Sequence, residues 1–287
     1  MLDAWQAVVL GLVEGITEFL PVSSTGHLIL AESLLGLGTP ATKSALDAFS
    51  IVIQGGAILA VLGLYWPRVL QMLRGVFGRD PVGLRLFRNI AIAFLPAALI
   101  GPLIDDWLDT HLFRPLPVLA ALFLGGLWMI WLDRRRGAGE VASSTALDAL
   151  DWRHALVIGL LQCVAMWPGT SRSMMTIAGG TLVGLRPREA AEFSFLVGVP
   201  TLGGACAFKL LKNLLAASRD GTPNLIEALG AGSVALGFAV AAISAALAVR
   251  WLVGFLNRHG LAAFGWYRVG LTAVLGLALW TGAVTLN

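Results

Sequence analysis

Glu14-Gly15-Ile16-Thr17-Glu18-Phe19-Leu20-Pro21-Val22-Ser23-Ser24-Thr25-Gly26-His27 is the stretch on which the fold turns. It breaks an apolar run of about residues 5 to 35 with two carboxylates, a proline, four hydroxyls and a histidine. Irregular polar backbone is tolerated in hydrocarbon only where protein shields it or where it lines a wet cavity. The run is therefore read as a re-entrant helical hairpin rather than a span. The same grammar returns at Pro168-Gly169-Thr170-Ser171-Arg172-Ser173, inside the apolar region 154 to 184, and predicts a second hairpin.

Composition sets the medium in which these breaks sit. The chain has 287 residues, 57% hydrophobic and 13% charged, with a mean hydropathy of +0.80. A soluble domain carries roughly 25% charged residues, so an ordinary soluble globule is excluded. Six further segments, about 45 to 66, 89 to 104, 116 to 132, 190 to 211, 227 to 250 and 262 to 286, have the length and apolarity to cross a bilayer. The expected architecture is an all-α integral membrane protein of one domain, residues 1 to 287, with six transmembrane helices and two re-entrant hairpins. The net charge of +3 needs no nucleic-acid partner, because loop topology accounts for basic residues in a membrane protein. Cys163 and Cys206 fall in apolar segments without disulfide or zinc spacing. The start Met1-Leu2-Asp3 lacks a basic region, and Glu14 and Glu18 interrupt the first apolar run, which argues against a cleaved signal peptide.

Loop charge gives the orientation. If 67 to 88, 133 to 153, 185 to 189 and 250 to 268 face the cytoplasm, they hold 14 of the 20 Lys and Arg, while Lys43, Arg114, Lys209, Lys212 and Arg219 fall outside. This is the bias of the positive-inside rule. Both termini then lie outside, and Arg172 is left as the only basic residue at membrane depth.

The two halves, about 1 to 136 and 150 to 287, resemble each other. Ala7-Val8-Val9-Leu10-Gly11-Leu12-Val13-Glu14 parallels Ala155-Leu156-Val157-Ile158-Gly159-Leu160-Leu161-Gln162, and Ala48-Phe49-Ser50 parallels Glu192-Phe193-Ser194. One hairpin and three spans per half make the second copy inverted, so the hairpin tips would meet near the bilayer middle.

Glu14 and Glu18, four apart, share one helical face. Carboxylates are costly in a membrane, so they are functional candidates unless Arg172 or backbone amides pair them structurally. Pro21 to His27 has the pattern of a helix start, with Ser23, Ser24 and Thr25 as capping hydroxyls and Gly26 following. Free amides there favour a phosphate. Ser24 and His27, three apart, could approach as nucleophile and base, or serve as a cap and a hydrogen-bonded histidine. In the second break, Gly169 permits close backbone approach, Thr170, Ser171, Ser173 and Thr176 offer hydroxyls, and Arg172 presents a planar fork suited to phosphate oxygens or snorkels at a span end. Gln54 either reaches the site or bonds a neighbouring helix.

The two motifs, with Phe49-Ser50-Ile51-Val52-Ile53-Gln54 and Phe193-Ser194-Phe195, resemble the signatures of the bacterial undecaprenyl pyrophosphate phosphatase family, also called bacitracin resistance proteins. The resemblance covers essentially the whole chain. It implies hydrolysis of a C55 isoprenoid diphosphate to its monophosphate in the bacterial plasma membrane, recycling the carrier for the cell wall. It also implies a site open to the outer face, a divalent cation and bacitracin tolerance. It ties activity to Glu14, Glu18, Ser24, His27 and Arg172. Glu14 and Glu18 are then the expected ligands for Mg2+ or Ca2+, completed by phosphate oxygens and water. Ser24 or a water is the expected attacking group, with His27 or a glutamate taking the proton. A secondary transporter or flippase of the lipid phosphate is the alternative that the inverted repeat alone would favour.

Overall fold

The computed structural model of the protein describes residues 2–37, 40–136, 146–220 and 229–281. Eleven helices occupy them: α1 Ala4–Thr17, α2 Ser24–Leu34, α3 Pro40–Leu64, α4 Trp66–Val76, α5 Pro81–His111, α6 Pro115–Arg136, α7 Trp152–Val164, α8 Arg172–Leu182, α9 Pro187–Asp220, α10 Ala231–His259 and α11 Ala262–Trp280. No strand occurs among the described residues. Six of the helices, α3, α5, α6, α9, α10 and α11, are long and apolar enough to cross a membrane. They are the six expected segments. The expected span ends at 227–228 and 282–286, both terminal residues and the side chains of Lys43, Arg136, Lys212 and Arg219 lie outside the described residues.

The helices outrun the expected spans at their basic ends. Residues 67 to 88, expected as a loop, form α4 and the first turns of α5. Arginine is a good helix former and its stem can lie along apolar surface, so charge ends the hydrophobic span without ending the helix. Asp80 then starts α5 by accepting from the Gly83 amide at 2.9 Å, with Pro81 in the first turn.

The basic segments converge on one end of the bundle. Arg68 of α4 donates to Glu192 of α9 at 2.7 Å and to Asp148 at 3.0 Å. Arg85 of α5 donates to the Asp148 carbonyl at 3.1 Å, and Asp133 of α6 accepts from the Ala262 amide at 3.0 Å. At the opposite end, Ser233 of α10 donates to the Leu2 carbonyl at 2.7 Å. There Leu2, Leu28, Ala31, Leu46 and Leu229 share one apolar cluster, with Leu35 and Leu37 packed on it.

Helix contacts repeat across the chain. α1 packs on α10 and α7 on α5, α3 meets α9, and α6 meets α11. The first two pairs use one device: a Cβ on Gly11 would lie 2.6 Å from the Gly237 carbonyl, and a Cβ on Gly159 would lie 2.6 Å from the Ala93 carbonyl. Gly11 and Gly159 hold the same place in the parallel stretches noted above. Close backbone contact of this kind is what drives helix association where no hydrophobic effect is available.

One side chain corrects the charge reading. Arg268, expected among the cytoplasmic residues 250 to 268, lies inside α11 and is completely buried. Two arginines, not one, therefore lie deep in the bundle. The Arg268 guanidinium donates to the carbonyls of Leu122 (3.1 Å) and Ala121 (2.9 Å) on α6, of Gly169 (2.8 Å) and Thr170 (2.9 Å) in the second break, and of Pro21 (3.5 Å) in the first. Five carbonyls, three of them in the breaks and outside any helix, thus meet the five donors of one guanidinium. Ser173 adds a direct tie between the breaks by donating to the Leu20 carbonyl at 2.7 Å.

Two measurements check this packing. Gly11→Ala is expected to destabilise the folded protein in detergent by about 1–3 kcal/mol through overpacking against α10. Gly63→Ala, whose Cβ would meet nothing, is expected to leave thermal unfolding unchanged. Arg268→Lys keeps the charge but cannot span the carbonyls of both breaks, and each break carbonyl left orphaned costs about 1–3 kcal/mol. It should therefore lower the unfolding temperature far more than Arg258→Lys, at the exposed end of α10.

Candidate active site

The site assembles where α1 ends, α2 and α8 begin, and α9 passes behind them. α1 stops at Thr17, with Glu18 as its C-cap and the Glu18 amide still bonded to the Glu14 carbonyl at 2.9 Å. Both carboxylates are buried, Glu14 at 1% and Glu18 at 7% exposure. The helix dipole disfavours anions at this terminus, so something else must compensate them. For Glu18 it is Arg172.

The two helix starts share an unusual backbone. Ser23 and Ser171, the N-caps of α2 and α8, have φ of 73° and 76°, and they are the only non-glycine residues with positive φ among those described. Such conformations cost about 1–3 kcal/mol each and are kept where the surroundings over-determine them. Each N-cap hydroxyl accepts from its own helix, from the Gly26 amide at 3.5 Å and the Met174 amide at 3.3 Å. The strained residue thereby points the next one, Ser24 or Arg172, into the space between the breaks.

There Ser24 Oγ donates to Glu18 Oε2 at 2.6 Å, and Arg172 Nη2 donates to Glu18 Oε1 at 3.4 Å. One carboxylate thus bridges the candidate nucleophile and the guanidinium. Arg172 is further held by the Ser194 carbonyl of α9 at 2.9 Å and lies over the Phe19 ring at 5.5 Å. Gly198 leaves room for it, since a Cβ there would sit 2.7 Å from Nη1. Arg172 Nε and Glu14 Oε1 are buried without a hydrogen-bond partner. A donor and an acceptor left unmatched beside one another's charges are costly unless a ligand completes them.

His27 does not take up the place expected of it. Its Nδ1 lies 2.7 Å from the Ser23 carbonyl and its Nε2 lies 2.7 Å from the Tyr267 hydroxyl of α11. The i, i+3 spacing puts Ser24 and His27 on one face, but each side chain is drawn to a different partner, and the group in contact with Ser24 is the Glu18 carboxylate.

The remaining candidates divide by what holds them. Ser173 and Thr176 are fully buried, and their hydroxyls are engaged by protein, Ser173 with Leu20 and Thr176 with the Arg172 carbonyl (2.9 Å) and Ser194 Oγ (2.6 Å). Gly169 and Thr170 offer their carbonyls to Arg268, and Gly169 has φ of 92° and passes against the Val118 carbonyl. These four frame the second break. Ser171 and Thr25 are half-buried at the starts of α8 and α2, and Gly26 is buried one turn in. Gln54 accepts from Cys206 Sγ at 3.2 Å, tying α3 to α9, and has no bond to Glu18, Ser24 or Arg172. Arg268, Ser194 and Tyr267 were not anticipated. Arg268 carries the same signal as Glu14, an ionisable residue within an apolar run, 262 to 286, but the charge tally counts it with the cytoplasmic residues 250 to 268.

As for a cation, no group of three or more His, Cys, Asp or Glu side chains clusters among the described residues. Both oxygens of Glu18 are engaged, which leaves the unpartnered Oε1 of Glu14 as the protein oxygen fitted to a hard cation.

The sequence profile of the bacitracin resistance protein BacA family matches residues 7–274. The chain is 47% identical over 278 residues to an undecaprenyl-diphosphatase of Sorangium cellulosum, covering 96% of this chain and 85% of the relative. It is 43% identical over 280 residues to undecaprenyl-diphosphatase 2 of Rhodospirillum rubrum, covering 98% and 96%. It is 44% identical over 286 residues to the undecaprenyl-diphosphatase of Azotobacter vinelandii, covering 98% of both. With six helices fit to cross a membrane and a family match over nearly its whole length, this chain is a multi-pass membrane protein that belongs to the bacitracin resistance protein BacA family.

Proposed function

We propose that the protein hydrolyses undecaprenyl diphosphate to undecaprenyl phosphate and inorganic phosphate, recycling the lipid carrier for cell-wall synthesis. The observation that carries the mechanism is the 2.6 Å bond from Ser24 Oγ to Glu18, whose other oxygen is held by Arg172. Ser24 Oγ attacks the terminal phosphorus while its proton passes to Glu18. The new P–O bond is to Ser24, and the bond that breaks releases the prenyl monophosphate. Water then attacks the phosphoserine, frees inorganic phosphate and restores the Ser24 hydroxyl. Arg172, with Nε still free to donate, holds oxygens of the transferred group as charge builds on them. A transporter needs none of this nucleophile and base pairing, and the names of the relatives support hydrolysis.

A divalent cation, Mg2+ or Ca2+, would be held by Glu14 and the substrate's phosphate oxygens, with Glu18 beside it. Its contribution when bound would be to offset charge on the diphosphate.

The two breaks are read as tips of re-entrant hairpins in an inverted repeat of halves 1–136 and 150–287. Three observations support this. The start of α7 and the end of α8 flank the Arg68, Asp148 and Glu192 cluster at the basic end. The start of α1 and the end of α2 lie with Leu2 and Leu229 at the other end. Exchange of the halves also maps the α1–α10 contact onto the α7–α5 contact. The basic end is assigned to the cytoplasm of the bacterial plasma membrane and the site to the outer leaflet.

Purified protein in detergent, where no transport can be scored, is expected to release phosphate from undecaprenyl diphosphate. Ser24→Ala and Glu18→Gln should lose nearly all turnover. Arg172→Lys should lower kcat about a hundredfold, the loss typical of one aligned transition-state donor. Glu14→Gln should raise the cation concentration needed for half-maximal rate. Wild-type rates in Ser24→Ala would overturn the mechanism, and absence of phosphate release would overturn the function.

With Cys163 and Cys206 replaced, Arg79→Cys is expected to be labelled from the cytoplasm and Asp106→Cys from outside. Labelling of both from one face would contradict the orientation.

A further inference from the structure

Both ring nitrogens of His27 are occupied, and the two contacts are not equivalent. A backbone carbonyl only accepts, so the 2.7 Å contact with the Ser23 carbonyl places the ring proton on Nδ1. In the neutral imidazole Nε2 is then a bare acceptor, and the Tyr267 hydroxyl at 2.7 Å donates to it. The two rings lie parallel, 5.7 Å between centroids at 6°. That stacked arrangement fixes the imidazole plane in the orientation the two hydrogen bonds require. Tyr267 directly precedes Arg268, which is bonded to the carbonyls of both breaks. The rigid element that clamps the breaks therefore also carries the phenol.

What this chain of contacts holds is the backbone of Ser23. That residue has φ of 73° and ψ of 98°, and its neighbour is Ser24. The carbonyl of a strained residue relaxes unless it is fixed, and a relaxed Ser23 would rotate Ser24 Oγ away from Glu18. An imidazole N–H on a freely rotating ring would fix it poorly. A ring locked from behind by Tyr267 fixes it in one direction.

We propose that Tyr267 is a positioning residue: its hydroxyl holds His27 as the neutral Nδ1–H tautomer, and His27 in turn pins the Ser23 carbonyl so that Ser24 points at Glu18. The inference rests on the reading of Ser24 as nucleophile given above. It assigns His27 to the frame of the nucleophile rather than to proton transfer from it, since the only lone pair on the ring is already taken.

The test is a double-mutant cycle on phosphate release from undecaprenyl diphosphate in detergent, with nitrogen NMR of histidine-labelled protein alongside. Tyr267→Phe keeps the ring and removes only the donor. It is expected to lower kcat about fivefold, the size of one neutral hydrogen bond, with KM unchanged within about twofold. In a His27→Gln background the same substitution is expected to have almost no further effect, because the residue through which it acts is gone. The His27 ring should show a protonated Nδ1 and a hydrogen-bonded, unprotonated Nε2 in the wild type, and lose the hydrogen-bond shift at Nε2 in Tyr267→Phe. Equal losses from Tyr267→Phe in both backgrounds, full activity in Tyr267→Phe, or a proton resident on Nε2 in the wild type would each overturn the proposal. The NMR result stands whether or not the variants turn over. If the wild type itself released no phosphate, the functional reading would fail while the tautomer remained measurable.

Discussion

The site of this protein depends on how a single guanidinium, that of Arg268, satisfies broken backbone inside the helix bundle. Two helices stop within the bundle, at Thr17 and Val164, and two begin there, at Ser24 and Arg172. Such breaks leave carbonyls that neither lipid nor helix can satisfy. Arg268 takes carbonyls from both breaks and from α6, and its own charge is solvated by their dipoles. The cost of burying the cation and the cost of breaking the helices offset one another.

The chemistry follows from that mutual dependence. With the breaks clamped, Ser23 and Ser171 can be held at positive φ, and each strained cap directs the next residue across the gap. Ser24 and Arg172 then converge on opposite oxygens of Glu18. No element of this triad comes from the same half as both others: Glu18 and Ser24 belong to the first break and Arg172 to the second. Breaking one partner of such a buried pair costs about 3–5 kcal/mol, so the site also holds the halves together. Glu14 Oε1 and Arg172 Nε remain as the unmatched acceptor and donor. Those are the groups a phosphate with its cation would complete.

Much of this was legible in the sequence, because burial of polar residues in hydrocarbon is costly enough to be conspicuous. The two breaks, the paired glutamates and Arg172 follow from that principle, and the six spans from their length and apolarity. The basic loops do gather at one end, through Arg68, Asp148 and Glu192. Four things were not legible, each for a physical reason. Arg268 stands only six residues after the start of its helix, so charge counting assigned it to the loop before it. The residues 67 to 88 continue as helix because arginine ends a hydrophobic run without ending a helical one. The pairing of Ser24 with Glu18 instead of His27 depends on positive φ at Ser23, a backbone state that no spacing rule encodes. Tyr267, half exposed on a distant helix, carries no sequence signal at all.

The central claim, that the clamped breaks aim Ser24 at Glu18 so that Ser24 itself attacks phosphorus, is tested most directly by rapid-quench labelling. Wild-type protein is mixed with undecaprenyl diphosphate labelled in its terminal phosphate, stopped within the first turnover, digested, and the peptides are sequenced for the label. The account predicts label on Ser24, appearing before free phosphate and absent in Glu18→Gln. Labelled inorganic phosphate appearing in the first turnover, with none on Ser24 at any quench time, would contradict it and make water the attacking group.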